Sequence, residues 1–139
     1  MRSTRSFTAG PASIGAARRF ATDSLPELPP DALDAVVLMV SELATNCIRF
    51  TPGAFSISIE DDTRSTRVDV TDRGGGKPTV RSPRATDLSG RGLQIVEAMS
   101  DDWGVVPAKS CPGTTVWFTL GHSENAADKP GLRRLPIAD

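Results

Sequence analysis

The stretch that most constrains this chain runs from Leu33 to Phe50. It joins an apolar run, Leu33 to Val40, to Ser-Glu-Leu-Ala-Thr-Asn-Cys-Ile-Arg-Phe at 41–50. Pro29 and Pro30 precede it, and Pro52 and Gly53 follow it. Those breakers predict one long helix over 32–50, with Asp31 as its N-cap. At about 100° per residue, Leu33, Val36, Val37, Val40, Leu43, Ala44 and Cys47 share one side. Glu42 lies opposite the centre of that stripe, and Asn46 about 40° further round. Ala35 and Met39 precede them on the same side, so this second face is apolar at first and polar later. Two readings stand open. The helix emerges into solvent with Glu42 and Asn46 on its wet side, or the pair forms the floor of a site. Carboxylate and amide oxygens are hard donors suited to Mg²⁺ and its waters.

The remaining periodicities fill in the architecture. Residues 4–9 read as a short edge strand. Pro11 opens a helix over 11–23, with Ile14, Ala17, Phe20 and Ala21 as its apolar stripe. Phe55, Ile57 and Ile59 alternate along one strand, and Val68, Val70 and Asp72 along the next, joined by a hairpin loop at 61–64. Residues 73–89 carry Gly, Pro, Arg and Ser without period, which marks a long loop of the functional or disordered kind. A helix follows over 90–100, then strands at 103–106 and 114–120. Past Gly121 the chain is polar with Pro130 and Pro136, and reads as a loosely ordered tail. The order is strand, helix, helix, strand, strand, loop, helix, strand, strand. It predicts an α+β two-layer sandwich: a mixed, mostly antiparallel sheet covered on one face by about three helices. The expected organisation is one domain over 1–121 and a tail over 122–139.

Composition narrows the function classes. The chain has 139 residues, 38% hydrophobic and 24% charged, which suits one globular domain. A formal net charge of −1 argues against a general nucleic-acid surface. No apolar run reaches the roughly 18–20 residues of a membrane span. The N-terminal residues carry no signal-like apolar segment, so a cytoplasmic location is expected. Cys47 and Cys111 have no metal-ligand spacing and His122, the single histidine, stands outside any cluster, which argues against zinc and against Ser-His or Cys-His catalysis. Cys47 falls in the apolar stripe and reads as a small core residue.

Two further constellations carry chemistry. Asp72 shares parity with Val68 and Val70, so its carboxylate points to the face the apolar residues use. A charge there needs a partner. Gly74, Gly75 and Gly76 follow at once, more glycine than a tight turn requires. Then Gly90-Arg91-Gly92-Leu93 opens a helix, where free N–H groups and the dipole favour an anion. A loop rather than a strand precedes it, so it is no Rossmann fingerprint, and it lacks the Walker Gly-Lys-Ser/Thr ending.

The order of these pieces resembles the GHKL ATP-binding superfamily, which includes gyrase and the histidine kinases. More closely, it is similar to the stand-alone anti-sigma factor serine/threonine kinases, over about residues 4–120. The resemblance implies the Bergerat ATP-binding fold, with ATP and Mg²⁺ as cofactors. It makes 41–46 the N box, with Asn46 holding Mg²⁺ and Glu42 as general base. Asp72 would accept from the adenine amino group, and Gly74 and Gly76 would form the first glycine box, with Gly76 beneath the base. Residues 77–89 would be the lid. Gly90, Arg91, Gly92 and Leu93 would cradle phosphates. Gly113-Thr114-Thr115 matches the last box, with Thr115 near the adenine. One departure stands out. Cys47-Ile48-Arg49-Phe50 replaces the common Ala-x-x-His, so Phe50 removes a polar group near the phosphate end. Arg49 either reaches the phosphates or is solvated.

The function this implies is an ATP-dependent anti-sigma factor and serine/threonine kinase. It would phosphorylate an antagonist protein and, in another state, bind a sigma factor, with a homodimer possible and no nucleic-acid or membrane partner. A non-catalytic ATP-binding partner-switching module and a simple ATPase are the alternatives.

Overall fold

The computed structural model describes residues 2–51, 53–62, 64–73, 90–109 and 113–121. The elements in chain order are β1 (Arg2–Phe7), α1 (Ala12–Ser24), α2 (Pro30–Phe50), β2 (Phe55–Asp61), β3 (Ser65–Asp72), α3 (Gly90–Met99), β4 (Asp102–Pro107) and β5 (Thr114–Gly121).

The strands form one five-stranded sheet in the order β1-β2-β3-β5-β4. All four pairings are antiparallel, so the expected mixed character is corrected to purely antiparallel. The connectivity explains this. Neighbours β2–β3 and β4–β5 follow each other in the chain, β1 and β2 run in opposite directions, and β3 and β4, which α3 links and which run the same way, are kept apart by β5. The expected α+β two-layer sandwich is the observed one. The inward row, Phe55, Ile57, Ile59, Val68, Val70 and Phe118, is almost wholly buried, as strict alternation requires when only one face is covered.

Local chemistry sets the joints. Asp62 Oδ1 accepts the backbone N–H groups of Arg64 at 2.6 Å and Ser65 at 2.9 Å, closing the β2–β3 hairpin as an Asx turn. Phe7, the last residue of β1, stacks on Phe55 with ring centres 5.3 Å apart and meets Phe20 of α1 edge-on at 6.0 Å. That triad fixes where β1 stops and α1 begins. It also explains why β1 covers 2–7 rather than 4–9: pairing Phe7 with Phe55 sets the register back to Arg2 against Glu60.

Helix α2 begins two residues earlier than expected. Pro29 is extended at ψ 151° and Pro30 takes the first helical position, where its missing N–H costs nothing. Asp31 therefore lies in the first turn and makes no capping hydrogen bond; its charge faces the positive end of the dipole instead.

Helix α2 is the middle of the helical layer, with α1 on one flank and α3 on the other. Ala17 and Ala21 of α1 are completely buried, and their small side chains let α1 approach closely. On the other flank Met39, expected on the second face, is also completely buried, because α3 covers that side. Cys47 is a buried core residue, as expected. No helix among the described residues is long and apolar enough to cross a membrane.

Candidate functional site

Two elements meet at the second face of α2: α3 and α2 itself. Glu42 and Asn46 project from it one turn apart, and both are half-buried rather than wet. What covers them is the first turn of α3, which holds Gly90, Arg91, Gly92 and Leu93. The contact is close because residue 92 has no side chain. A Cβ built there would lie 2.6 Å from Asn46 Nδ2 and 3.7 Å from Glu42 Cβ. Leu93, next in the turn, is buried in the core and anchors the helix. The predicted carboxylate, amide and glycine turn are thus one cluster, 50 residues apart in sequence between Glu42 and Gly92.

Electrostatics give the cluster a direction. The N-terminus of α3 presents free backbone N–H groups and the positive end of its dipole. Beside it Asn46 Nδ2 is buried with no hydrogen-bond partner among the described residues. A buried amide donor without an acceptor is costly, on the order of 1–3 kcal/mol. A bound oxygen-rich anion supplies the missing acceptor. This is the observation on which ATP with Mg²⁺ fits the residues present. No group of three or more His, Cys, Asp or Glu among the described residues could hold a metal alone. A cation bound through Asn46 would complete its shell with phosphate oxygens and water.

Asp72 closes β3. It pairs across the sheet with the buried Phe55, so its carboxylate is on the helix-covered face, as parity predicted. Oδ1 accepts the backbone N–H of Thr114 at 3.3 Å. Gly113 approaches so closely that a Cβ there would collide with the carbonyl oxygen of Asp72. The start of β5 thus clasps the end of β3, which orients the Asp72 carboxylate.

Thr115 does not stand where the resemblance puts it. It pairs with Thr71, and their hydroxyls are 2.7 Å apart. Thr71 and Thr115 alternate with Val70 and Val116, which face the core. Their side chains therefore lie on the sheet face away from Asp72. The residue beside Asp72 is Thr114, through its backbone. The signal was in the sequence: Thr114 shares parity with Val116 and Phe118. A main-chain donor, though, leaves no mark in a side-chain motif.

At the end of α2, Arg49 is exposed, its guanidinium 5.0 Å above the Phe50 ring. Both lie on the side of the helix that carries Glu42 and Asn46. Gly74, Gly76, the proposed lid at 77–89 and the tail at 122–139 lie outside the described residues.

No curated protein matches the chain. The model of the histidine kinase-like ATPase domain matches residues 7–120, well over half of its 139. The match begins with β1's last residue and ends in β5, so it covers all three helices, β2 to β4, nearly all of β5 and the residues of the site. Membership implies a site for ATP. The carboxylate and amide of α2, the glycine turn of α3 and the carboxylate ending β3 agree with that match: this chain belongs to the histidine kinase-like ATPase domain family, within the GHKL superfamily.

Proposed function

We propose that this protein is an ATP-dependent serine/threonine kinase of the anti-sigma factor type. It transfers the γ-phosphoryl group of ATP to a hydroxyl on an antagonist protein and, in another state, binds a sigma factor. The observation that carries this reading is the cluster of Glu42, the orphaned Asn46 amide and the α3 N-terminus around the missing side chain of Gly92.

The residues divide the work. Asp72, oriented by the Thr114 N–H, accepts from the exocyclic amine of adenine. Asn46 would hold Mg²⁺ against the phosphates, and the backbone of 90–92 with Arg91 neutralises their charge. Mg²⁺, when bound, withdraws charge from the β- and γ-phosphate oxygens. Glu42 takes the proton of the acceptor hydroxyl as its oxygen bonds to the γ-phosphorus. The bond from that phosphorus to the bridging oxygen breaks, and ADP leaves. Such transfers depend on positioning and charge neutralisation more than on covalent help.

One observation favours the second reading, a non-catalytic ATP-binding switch. Phe50 places an aromatic ring under Arg49 where the resemblance expects a histidine. The experiment that separates them incubates wild type and Glu42→Gln with γ-labelled ATP and candidate antagonist proteins. Label on the partner, lost in Glu42→Gln with ATP binding kept, supports the kinase. Wild type that binds ATP but labels no partner supports the switch, and free labelled phosphate alone supports a simple ATPase.

A further inference from the structure

The two edges of the sheet, β1 and β4, are built differently. On β1, Arg5 shares a row with the buried Phe7 and pairs with the buried Ile57, its guanidinium 5.3 Å from the Phe7 ring centre. A charge aimed at the covered face of an edge strand discourages pairing with a further strand. On β4 that device is missing. From Trp103 to Pro107 it carries no charge, and Val105 and Val106 are 40% and 43% exposed. Its backbone edge is open as well. The Ala108 N–H donates to the Gly113 carbonyl at 3.0 Å, directly after the β4–β5 ladder. Successive strand residues turn their N–H and C=O to opposite sides, so Asp102, Gly104 and Val106 face β5. Trp103, Val105 and Pro107 turn theirs outward. The Trp103 N–H donates to its neighbour Asp102 Oδ1 at 3.0 Å, and Pro107 has none. Three carbonyls and the Val105 N–H thus have no partner among the described residues.

We propose that residues 132–137 of this chain, Leu-Arg-Arg-Leu-Pro-Ile, dock on that edge as a sixth strand parallel to β4. Position and length permit it. The Gly121 N–H donates to Asp101 Oδ2 at 2.6 Å, so the chain leaves β5 beside the start of β4. A strand beyond β4 lies two strand spacings away, about 10 Å. The intervening residues 122–131 reach about 33 Å when extended. The backbone groups match too. Pro136 has no N–H, and on an edge strand it belongs on the outward side. That parity aims Arg133, Leu135 and Ile137 at β4. Their N–H groups meet the carbonyls of Trp103, Val105 and Pro107, and the Arg133 carbonyl accepts from the Val105 N–H. The same register sets Leu135 level with the exposed Val106 and Leu132 level with Trp103. The β4 of a second copy offers no such match, because it too brings one N–H against three carbonyls. The chain thereby covers its own unprotected edge, and an outside strand must displace 132–137 to pair there.

The test follows hydrogen exchange of the Val105 amide by NMR in the full chain, for wild type, Leu135→Pro and Arg134→Pro. Leu135→Pro removes an N–H that the register turns toward β4. Arg134→Pro removes one that it turns away, so it controls for any general effect of proline in the segment. Wild type is expected to exchange the Val105 amide about a hundredfold more slowly than Leu135→Pro. Arg134→Pro should keep most of that protection. The Val68 amide, in the central strand β3, should exchange alike in all three and so reports that each variant is folded. Fast exchange of Val105 in wild type overturns the proposal, as does protection that survives Leu135→Pro. Equal loss in both proline variants overturns it too, because the parity of the strand then plays no part. Protection that rises with protein concentration assigns the edge to a second copy and overturns it as well.

Discussion

Gly92 leaves Asn46 just enough room: a Cβ at residue 92 would lie 2.6 Å from the Asn46 amide nitrogen, inside any allowed contact. One absent methyl group thus couples the first turn of α3 to the face of α2 that carries Glu42 and Asn46.

Gly92→Ala separates stability from function. The obstructing atom is the end of a side chain, so the amide can rotate away and the fold survives. Alanine within a helix gains about 0.5–1 kcal/mol over glycine, which offsets the strain. The expected result is a melting temperature within a few degrees of wild type, by calorimetry, and ATP affinity reduced about tenfold or more, a loss of about 1.4 kcal/mol, by titration. Unchanged affinity would show that the Asn46 position does not matter to the ligand.

Asn46→Ala moves the two quantities apart further. Without nucleotide the variant loses a buried donor that has no partner among the described residues. Urea unfolding should therefore give stability equal to wild type or higher by about 1 kcal/mol. Mg·ATP should no longer raise that stability, whereas wild type should gain it by mass action.

Asp72→Asn keeps a carbonyl oxygen to accept the Thr114 N–H, so the clasp between β3 and β5 holds. The charge is lost, and the amide can present a donor where the adenine amine also donates. ATP affinity should fall at least about tenfold with little change in the urea midpoint. A variant that binds ATP normally removes Asp72 from the site.

Gly113→Ala tests the scaffold. Its Cβ would meet backbone, the Asp72 carbonyl, which cannot rotate aside as a side chain can. The cost should reach about 2–3 kcal/mol in urea unfolding. ATP binding should fall with it, because the strand ends that aim Asp72 must move apart. A wild-type midpoint would refute the close approach.

The site was partly legible before folding. Glu42 and Asn46 were visible as polar residues on the wrong side of an apolar helix, yet the helix alone could not say whether that side was wet. Burial decides it, and burial comes from α3, some 50 residues downstream of Glu42 at Gly92. Asp72 was legible by parity with Val68 and Val70. Thr115 was misplaced because the resemblance was followed where the alternation of Val116 and Phe118 already pointed to Thr114.

By itself, then, the sequence determined the periodicities and the breakers: three helices, five strands, the inward rows of the sheet and the order of the motifs. These are local, set by 3.6- and two-residue repeats and by proline and glycine chemistry. The tertiary structure decided what rests against what. It buried Met39 by laying α3 beside α2, left the Asn46 amide nitrogen without a partner among the described residues, and clasped Gly113 to Asp72. Each is a contact between residues distant in the chain, fixed only when the two layers pack, and so no repeat within one segment can announce it.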